Sequence, residues 1–176
     1  MDTNGIATGI TVVGNYAYIA DLNQGLAIIN ISDPTSPGSP IYKGINKYAR
    51  GIYVVNNYAY LAVNDGLSII DISDPTNPED PIHIVTDNIG MRVKVVGDYA
   101  YVVDFSGLTI VNISNPTNPG SPFYKDTNGD AVDVTVVANY AYLANSETGL
   151  AIIPIAPIIT IAAGATTGTI TFTGIQ

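Results

Sequence analysis

The sequence predicts an all-β fold built from four repeats of about 41 residues. Three observations carry that expectation. The composition is 47% apolar and only 12% charged, with 17 Gly, 11 Pro and 12 Tyr, which suits strands and turns rather than helices. The tetrapeptide Asn-Tyr-Ala-Tyr stands at 15–18, 57–60 and 139–142, and Asp98–Tyr101 is its variant, at spacings of 42, 41 and 41 residues. Gly-Leu follows at 25–26, 66–67, 107–108 and 149–150, at spacings of 41, 41 and 42 residues. Two independent motifs that hold one period through four copies define a repeat.

The second repeat shows why each unit reads as four strands. Gly51–Val55 is rich in β-branched residues and forms the first strand. Asn56-Asn57 is a two-residue turn, because Asn tolerates positive φ. Tyr58–Val63 is the second strand, Asn64-Asp65-Gly66 closes the next hairpin, and Leu67–Ile72 is the third. Ser73–Pro78 cannot continue a ladder, since Pro lacks the N–H and fixes φ. Pro81–Thr86 is the fourth strand. The same punctuation recurs as Asn30-Ile31-Ser32-Asp33-Pro34 and Asn112-Ile113-Ser114-Asn115-Pro116.

A lone meander of this size is marginal, and both of its faces carry apolar residues. Each unit therefore needs a neighbour on either side. A radial ring supplies them, whereas a linear stack needs polar caps, which neither end provides. The expected architecture is a small β-propeller of four four-stranded antiparallel blades over residues 1–156.

The run Gly14-Asn15-Tyr16-Ala17-Tyr18-Ile19-Ala20-Asp21, followed by Gly25-Leu26-Ala27-Ile28-Ile29-Asn30-Ile31-Ser32-Asp33-Pro34, resembles the LVIVD repeat family. Leu26–Asn30 and Leu67–Asp71 are the strands that the family's name describes. The resemblance spans about residues 2–155. It implies a β-propeller in bacterial or archaeal surface or secreted proteins, and it brings no catalytic motif.

The fourth repeat departs after Ile153. Pro154 replaces Asn30, Asp71 and Asn112, and no Pro-Thr-x-Pro segment follows. Residues 157–176 alternate instead and read as a β-hairpin tail that resembles the opening of Calx-β-type extracellular modules. Asp2-Thr3-Asn4-Gly5 matches Asp126-Thr127-Asn128-Gly129, so the chain starts after a fourth strand and the last repeat lacks one. The expectation is that the tail completes the last blade and closes the ring within the chain. The alternatives are pairing with a neighbouring molecule by strand addition, or a chain that is one piece of a longer propeller.

Composition also excludes classes of function. Without Cys there is no disulfide, iron–sulfur cluster or thiolate zinc site. Six Lys and Arg against 15 Asp and Glu do not suit binding along a nucleic-acid backbone. The mean hydropathy of +0.27 excludes disorder. No apolar run is long enough to insert in a membrane, and Met1–Gly5 does not read as a signal peptide. Absent Cys, few Lys and many Asn, Thr and Gly suit an extracellular or cell-surface protein.

Several residues are candidates for chemistry. His83, the sole histidine, is expected to be an exposed strand residue, with neither metal partners nor a nucleophile-elbow Ser. Asp126, Asn128 and Asp130 space oxygen ligands like the start of a calcium loop, but the Gly is misplaced and the closing Glu is missing, so a capped turn is expected. Asp33, Asp74 and Asn115 are expected to cap turns, and Tyr18, Tyr60, Tyr101 and Tyr142 to pack between blades.

Function on a repeat scaffold sits where the repeats differ. Gly9, Gly51, Arg92 and Asp133 occupy one equivalent position on the innermost strand, and Arg92 and Asp133 are expected to pair at the channel mouth. Lys47, Tyr48, Arg50, Tyr53, Arg92, Lys94 and Asp133 are the candidate partner-binding residues. The functional expectation is a non-catalytic interaction or structural module that uses no cofactor and binds protein or itself through the tail strand. The alternatives are a self-assembling subunit and an enzyme working at the channel mouth.

Overall fold

The computed structural model describes residues 5–86 and 88–155. Its fifteen strands are β1 (Ala7–Val13), β2 (Tyr16–Asp21), β3 (Gly25–Asn30), β4 (Ile41–Lys43), β5 (Ala49–Val55), β6 (Tyr58–Val63), β7 (Gly66–Asp71), β8 (Ile82–Val85), β9 (Gly90–Val96), β10 (Tyr99–Asp104), β11 (Gly107–Asn112), β12 (Phe123–Asp126), β13 (Ala131–Val137), β14 (Tyr140–Asn145) and β15 (Gly149–Pro154). They form four antiparallel meanders, β1 to β4, β5 to β8, β9 to β12 and β13 to β15. These are the blades of a β-propeller. The fourth has three strands among the described residues, and the tail expected to complete it, 157–176, lies outside them.

Sequence fixes the turns in each blade. The hairpin between the first two strands needs a left-handed residue, which is Gly14, Asn56, Gly97 or Ala138, with φ between 49° and 57°. At the second hairpin, Gly66 has φ of 146°, and a β-carbon there would collide with the carbonyl oxygen of Ile84 on the fourth strand. Gly25 and Gly107 meet Lys43 and Lys125 in the same way. The Gly of the Gly-Leu motif is therefore required by the close pass of the outer strand.

The proline segments are capped as expected. Asp33, Asp74 and Asn115 accept the backbone N–H of Thr35, Thr76 and Thr117 at 2.9, 2.9 and 3.2 Å. Asn30, Asp71 and Asn112 accept that of Ser32, Ser73 and Ser114 at 2.9, 2.8 and 2.9 Å. These Asx turns stop the third strand and turn the chain toward the fourth.

The core lies between blades. On the face turned toward the following blade, Leu26 and Ile28 enter a cluster with Ile52, Val54, Leu61 and Ile70 of the second blade. Leu67 and Ile69 do the same with Val93, Val95, Val102 and Val111, and Leu108 and Ile110 with Val134 and Leu143. Burying each such side chain contributes roughly 1.5–3 kcal/mol. Tyr18, Tyr60 and Tyr101 are buried in these three boundaries, as expected for inter-blade packing, whereas Tyr142 on the last blade is only half-buried and joins none of the apolar clusters of the described residues.

The inner strands pack in series: β1 against β5, β5 against β9 and β9 against β13. Thr8 Oγ1 and Thr11 Oγ1 donate across the first boundary to the carbonyls of Ala49 and Ile52, at 2.8 and 3.3 Å. Among the described residues, no apolar cluster joins the fourth blade to the first. A separate cluster of Ala17, Ile19, Ala27 and Ile29, with Ile31 and Tyr42, occupies the face of the first blade that points away from the second.

Candidate functional site

The seven candidate binding residues fall into three groups rather than one. Lys47 and Tyr48 follow Asn46, whose φ of 53° turns the loop between β4 and β5. With Asn23 and Asn64, from hairpin turns of the first two blades, Asn46, Lys47 and Tyr48 line a cleft of about 310 Å³. The Asn64 amide oxygen accepts the Tyr48 N–H at 3.0 Å and orders that wall. Tyr48 is 52% exposed, an aromatic ring presented to solvent beside amide groups. Composition alone did not flag Asn23, Asn46 and Asn64, because Asn is common in turns throughout the chain.

The second group lies along the inner strands. Arg92 Nη1 donates to the carbonyls of Arg50 at 3.2 Å and Met91 at 2.9 Å. It fits because Gly51 lets β9 approach: a β-carbon there would sit 2.8 Å from Arg92 Cα. Lys94 Nζ stands 4.6 Å from the Tyr53 ring centroid, a cation–π contact across the same boundary. Asp133 stands apart, its Oδ1 accepting the N–H of Val134 at 2.9 Å. The expected pair of Arg92 with Asp133 is not formed: the Arg92 fork is drawn to carbonyls of the preceding boundary, and Asp133 caps its own strand.

His83 requires a correction. It is half-buried on β8, not exposed, opposite Ser68 of β7. His83 Nδ1 lies 3.3 Å from Ser68 Oγ, and Nε2 lies 3.2 Å from Asp65 Oδ1 without the alignment of a hydrogen bond. Lys47 pairs with the other oxygen of Asp65. Burial holds the imidazole below the usual histidine value; Asp65 opposes that shift and Lys47 reinforces it. The three residue types are those of a nucleophilic triad. Ser68 is only 1% exposed, however, so its hydroxyl faces the blade boundary rather than a substrate. Sequence missed this cluster because Ser68 and Asp65 are ordinary variations of the repeat.

The calcium candidates act as turn residues. Asp126 Oδ1 accepts the Asn128 N–H at 2.8 Å, Asn128 has φ of 54°, and the Asp130 carbonyl accepts the N–H of Ser146 at 2.9 Å. Among the described residues no three His, Cys, Asp or Glu side chains gather as metal ligands. No described helix is long and apolar enough to cross a membrane.

Four antiparallel blades on one sequence period, stacked through their faces, define a repeat β-propeller. The chain belongs to the LVIVD repeat family, whose model matches residues 4–40, 46–80, 89–127 and 128–156. No curated protein matches the chain. Among solved structures it is similar to the computationally designed Ika4 protein, at 9% identity and a TM-score of 0.69, over 88% of this chain and 94% of that one. It is also similar to the computationally designed Ika8 protein, at 9% identity and a TM-score of 0.67, over 85% of this chain and 46% of that one. The chain thus spans about half the length of the second protein, and at such identity both likenesses speak for the fold alone.

Proposed function

We propose that this propeller is a non-catalytic interaction module of a bacterial or archaeal extracellular or cell-surface protein. One observation carries the reading: the reactive side chains are engaged in the scaffold, while the Asn23, Asn46, Lys47, Tyr48 and Asn64 cleft is open. Ser68 is buried, Arg92 holds carbonyls, and Asp133 caps its own backbone. An exposed tyrosine among amides suits a polar partner surface, such as a glycan or an extended peptide, stacked on the ring and hydrogen-bonded at its edges. The family's usual setting and the lack of Cys support the location.

The experiment is a binding screen of the full chain against arrayed surface glycans and peptides, beside Tyr48→Ala. Binding that the substitution abolishes, with the melting temperature unchanged, is the expected result. Turnover of ester, glycoside or phosphate substrates that disappears in Ser68→Ala or His83→Asn overturns the non-catalytic reading.

A second reading, a self-assembling structural subunit, is favoured by the exposure of Leu150 and Ile152 on the fourth blade, at 63% and 51%.

A further inference from the structure

The repeat supplies an internal standard for every blade face. Leu26, Leu67 and Leu108 are each 0% exposed against the following blade, whereas the equivalent Leu150 is 63% exposed. Ile28, Ile69 and Ile110 are at 0%, 1% and 6%, whereas Ile152 is at 51%. At the opposite end of the series the contrast is confined to the inner strand, because Ala17, Ile19, Ala27 and Ile29 on the same face of the first blade are buried. Ile52, Val93 and Val134 are at 9%, 7% and 8% against the preceding blade, whereas Ile10 is at 65%. Val54 and Val95 are at 8% and 6%, and Val12 is at 56%.

The last blade therefore presents the donor half of a boundary that the molecule already builds three times, and the inner strand of the first blade presents the acceptor positions Ile10 and Val12. Tyr140, Tyr142, Leu150 and Ile152 repeat Tyr58, Tyr60, Leu67 and Ile69, while Ile10 and Val12 repeat the inner-strand residues that receive them. Stray exposed Leu and Ile are ordinary on protein surfaces. Here the exposed residues are matched, position by position, to buried ones, and the complementary surface is carried by the same chain.

We propose that the partner of these two faces is a second copy of this chain, docked head to tail, so that two copies close one ring. The inference rests on the self-assembly reading and gives it a different joint, the blade faces rather than the C-terminal strand. A head-to-tail contact either closes or grows without limit. Closure at two copies keeps the blade count within the range of about 4–8 that propellers use.

The test is the solution mass of the full chain by light scattering, over a hundredfold range of concentration. Twice the 18.4 kDa chain mass is expected. Leu150→Asp and Ile10→Lys are each expected to give monomers with unchanged circular dichroism. Mixing the two variants is expected to restore the dimer, because one joint then pairs Asp with Lys and the other is wild type. Ile152→Glu is the second face variant, should Leu150→Asp fail to fold. Ile170→Asp with Phe172→Asp in the tail is expected to leave the dimer intact. A monomer at every concentration overturns both the proposal and the self-assembly reading. An assembly lost only in the tail variant overturns the proposal and leaves that reading standing. A mass that climbs without limit overturns closure at two copies.

Discussion

His83 Nδ1 lies 3.3 Å from Ser68 Oγ, with Asp65 and Lys47 on the far side of the ring. The imidazole is neutral near pH 7 because burial lowers its affinity for a proton. An unfolded histidine titrates near 6.5, above the folded value. Between the two values the unfolded chain binds more protons, so stability is present above about pH 6.5 and falls as pH drops through the folded value. His83 is the sole histidine, which assigns the slope in this window to one residue. Urea denaturation from pH 7.5 to 5 is expected to show falling stability, and His83→Asn is expected to flatten the curve. An unchanged slope in the variant contradicts the assignment.

The strand plan was legible because it is written four times. Asn-Tyr-Ala-Tyr placed the second strand of the second repeat at Tyr58–Val63, where β6 stands, and Asn56 at the turn has the positive φ expected of it. The inner strand of the second blade extends beyond Gly51 to Ala49, which pairs with Val63 across a bulge that leaves no sequence mark. The candidate site was far less legible. Contacts between blades join residues about 41 positions apart through the backbone as much as through side chains, as Arg92 does at the Arg50 carbonyl. Charge complementarity between Arg92 and Asp133 was the visible cue, and the carbonyls that took the guanidinium carry no residue-type signature.

Gly66 and Gly149 hold the same motif position in different surroundings. Gly66→Ala combines a φ of 146° with a collision on the Ile84 carbonyl, whereas nothing described lies within 4 Å of a β-carbon on Gly149, whose φ is 84°. Gly66→Ala is expected to cost about 3 kcal/mol or more. Gly149→Ala should cost only the backbone strain, about 1–2 kcal/mol. Chemical denaturation of the two variants measures the gap. Equal losses would mean that the outer strand is not what makes Gly66 necessary.

Tyr60 provides an alkaline counterpart to His83. Desolvation, with a smaller push from Tyr58, raises its phenol to about 12, and Tyr18 and Tyr101 are raised for the same first reason. A raised phenol leaves the folded chain holding protons that the unfolded chain releases near pH 10. Stability is therefore intact below about pH 10 and declines as pH rises toward 12. Absorbance titration of tyrosinate is expected to show a delayed fraction that appears together with loss of the β-sheet signal. Tyr60→Phe should move that loss to higher pH. A titration in which every tyrosine ionises at about pH 10 in the folded protein would reject the boundary burial of these rings.

Ala138 is the clearest place to strengthen the fold. It occupies the turn position taken by Gly14, Asn56 and Gly97 in the other repeats, with φ of 51°. A β-carbon in that conformation crowds the following carbonyl and costs roughly 1–2 kcal/mol. Ala138→Gly relieves the strain but adds freedom to the unfolded chain, which costs roughly 0.5–1 kcal/mol. Strain is the larger of the two, so the substitution is expected to stabilise by about 0.5–1 kcal/mol. For a chain of this size that raises the melting temperature by about 1–4 °C. Gly14→Ala is the control, because it imposes the same strain at an equivalent turn with nothing within 4 Å of the added carbon. It is expected to lower the melting temperature by a similar amount, measured by calorimetry. Two shifts of the same sign would show that packing around the turn, rather than φ, governs this position.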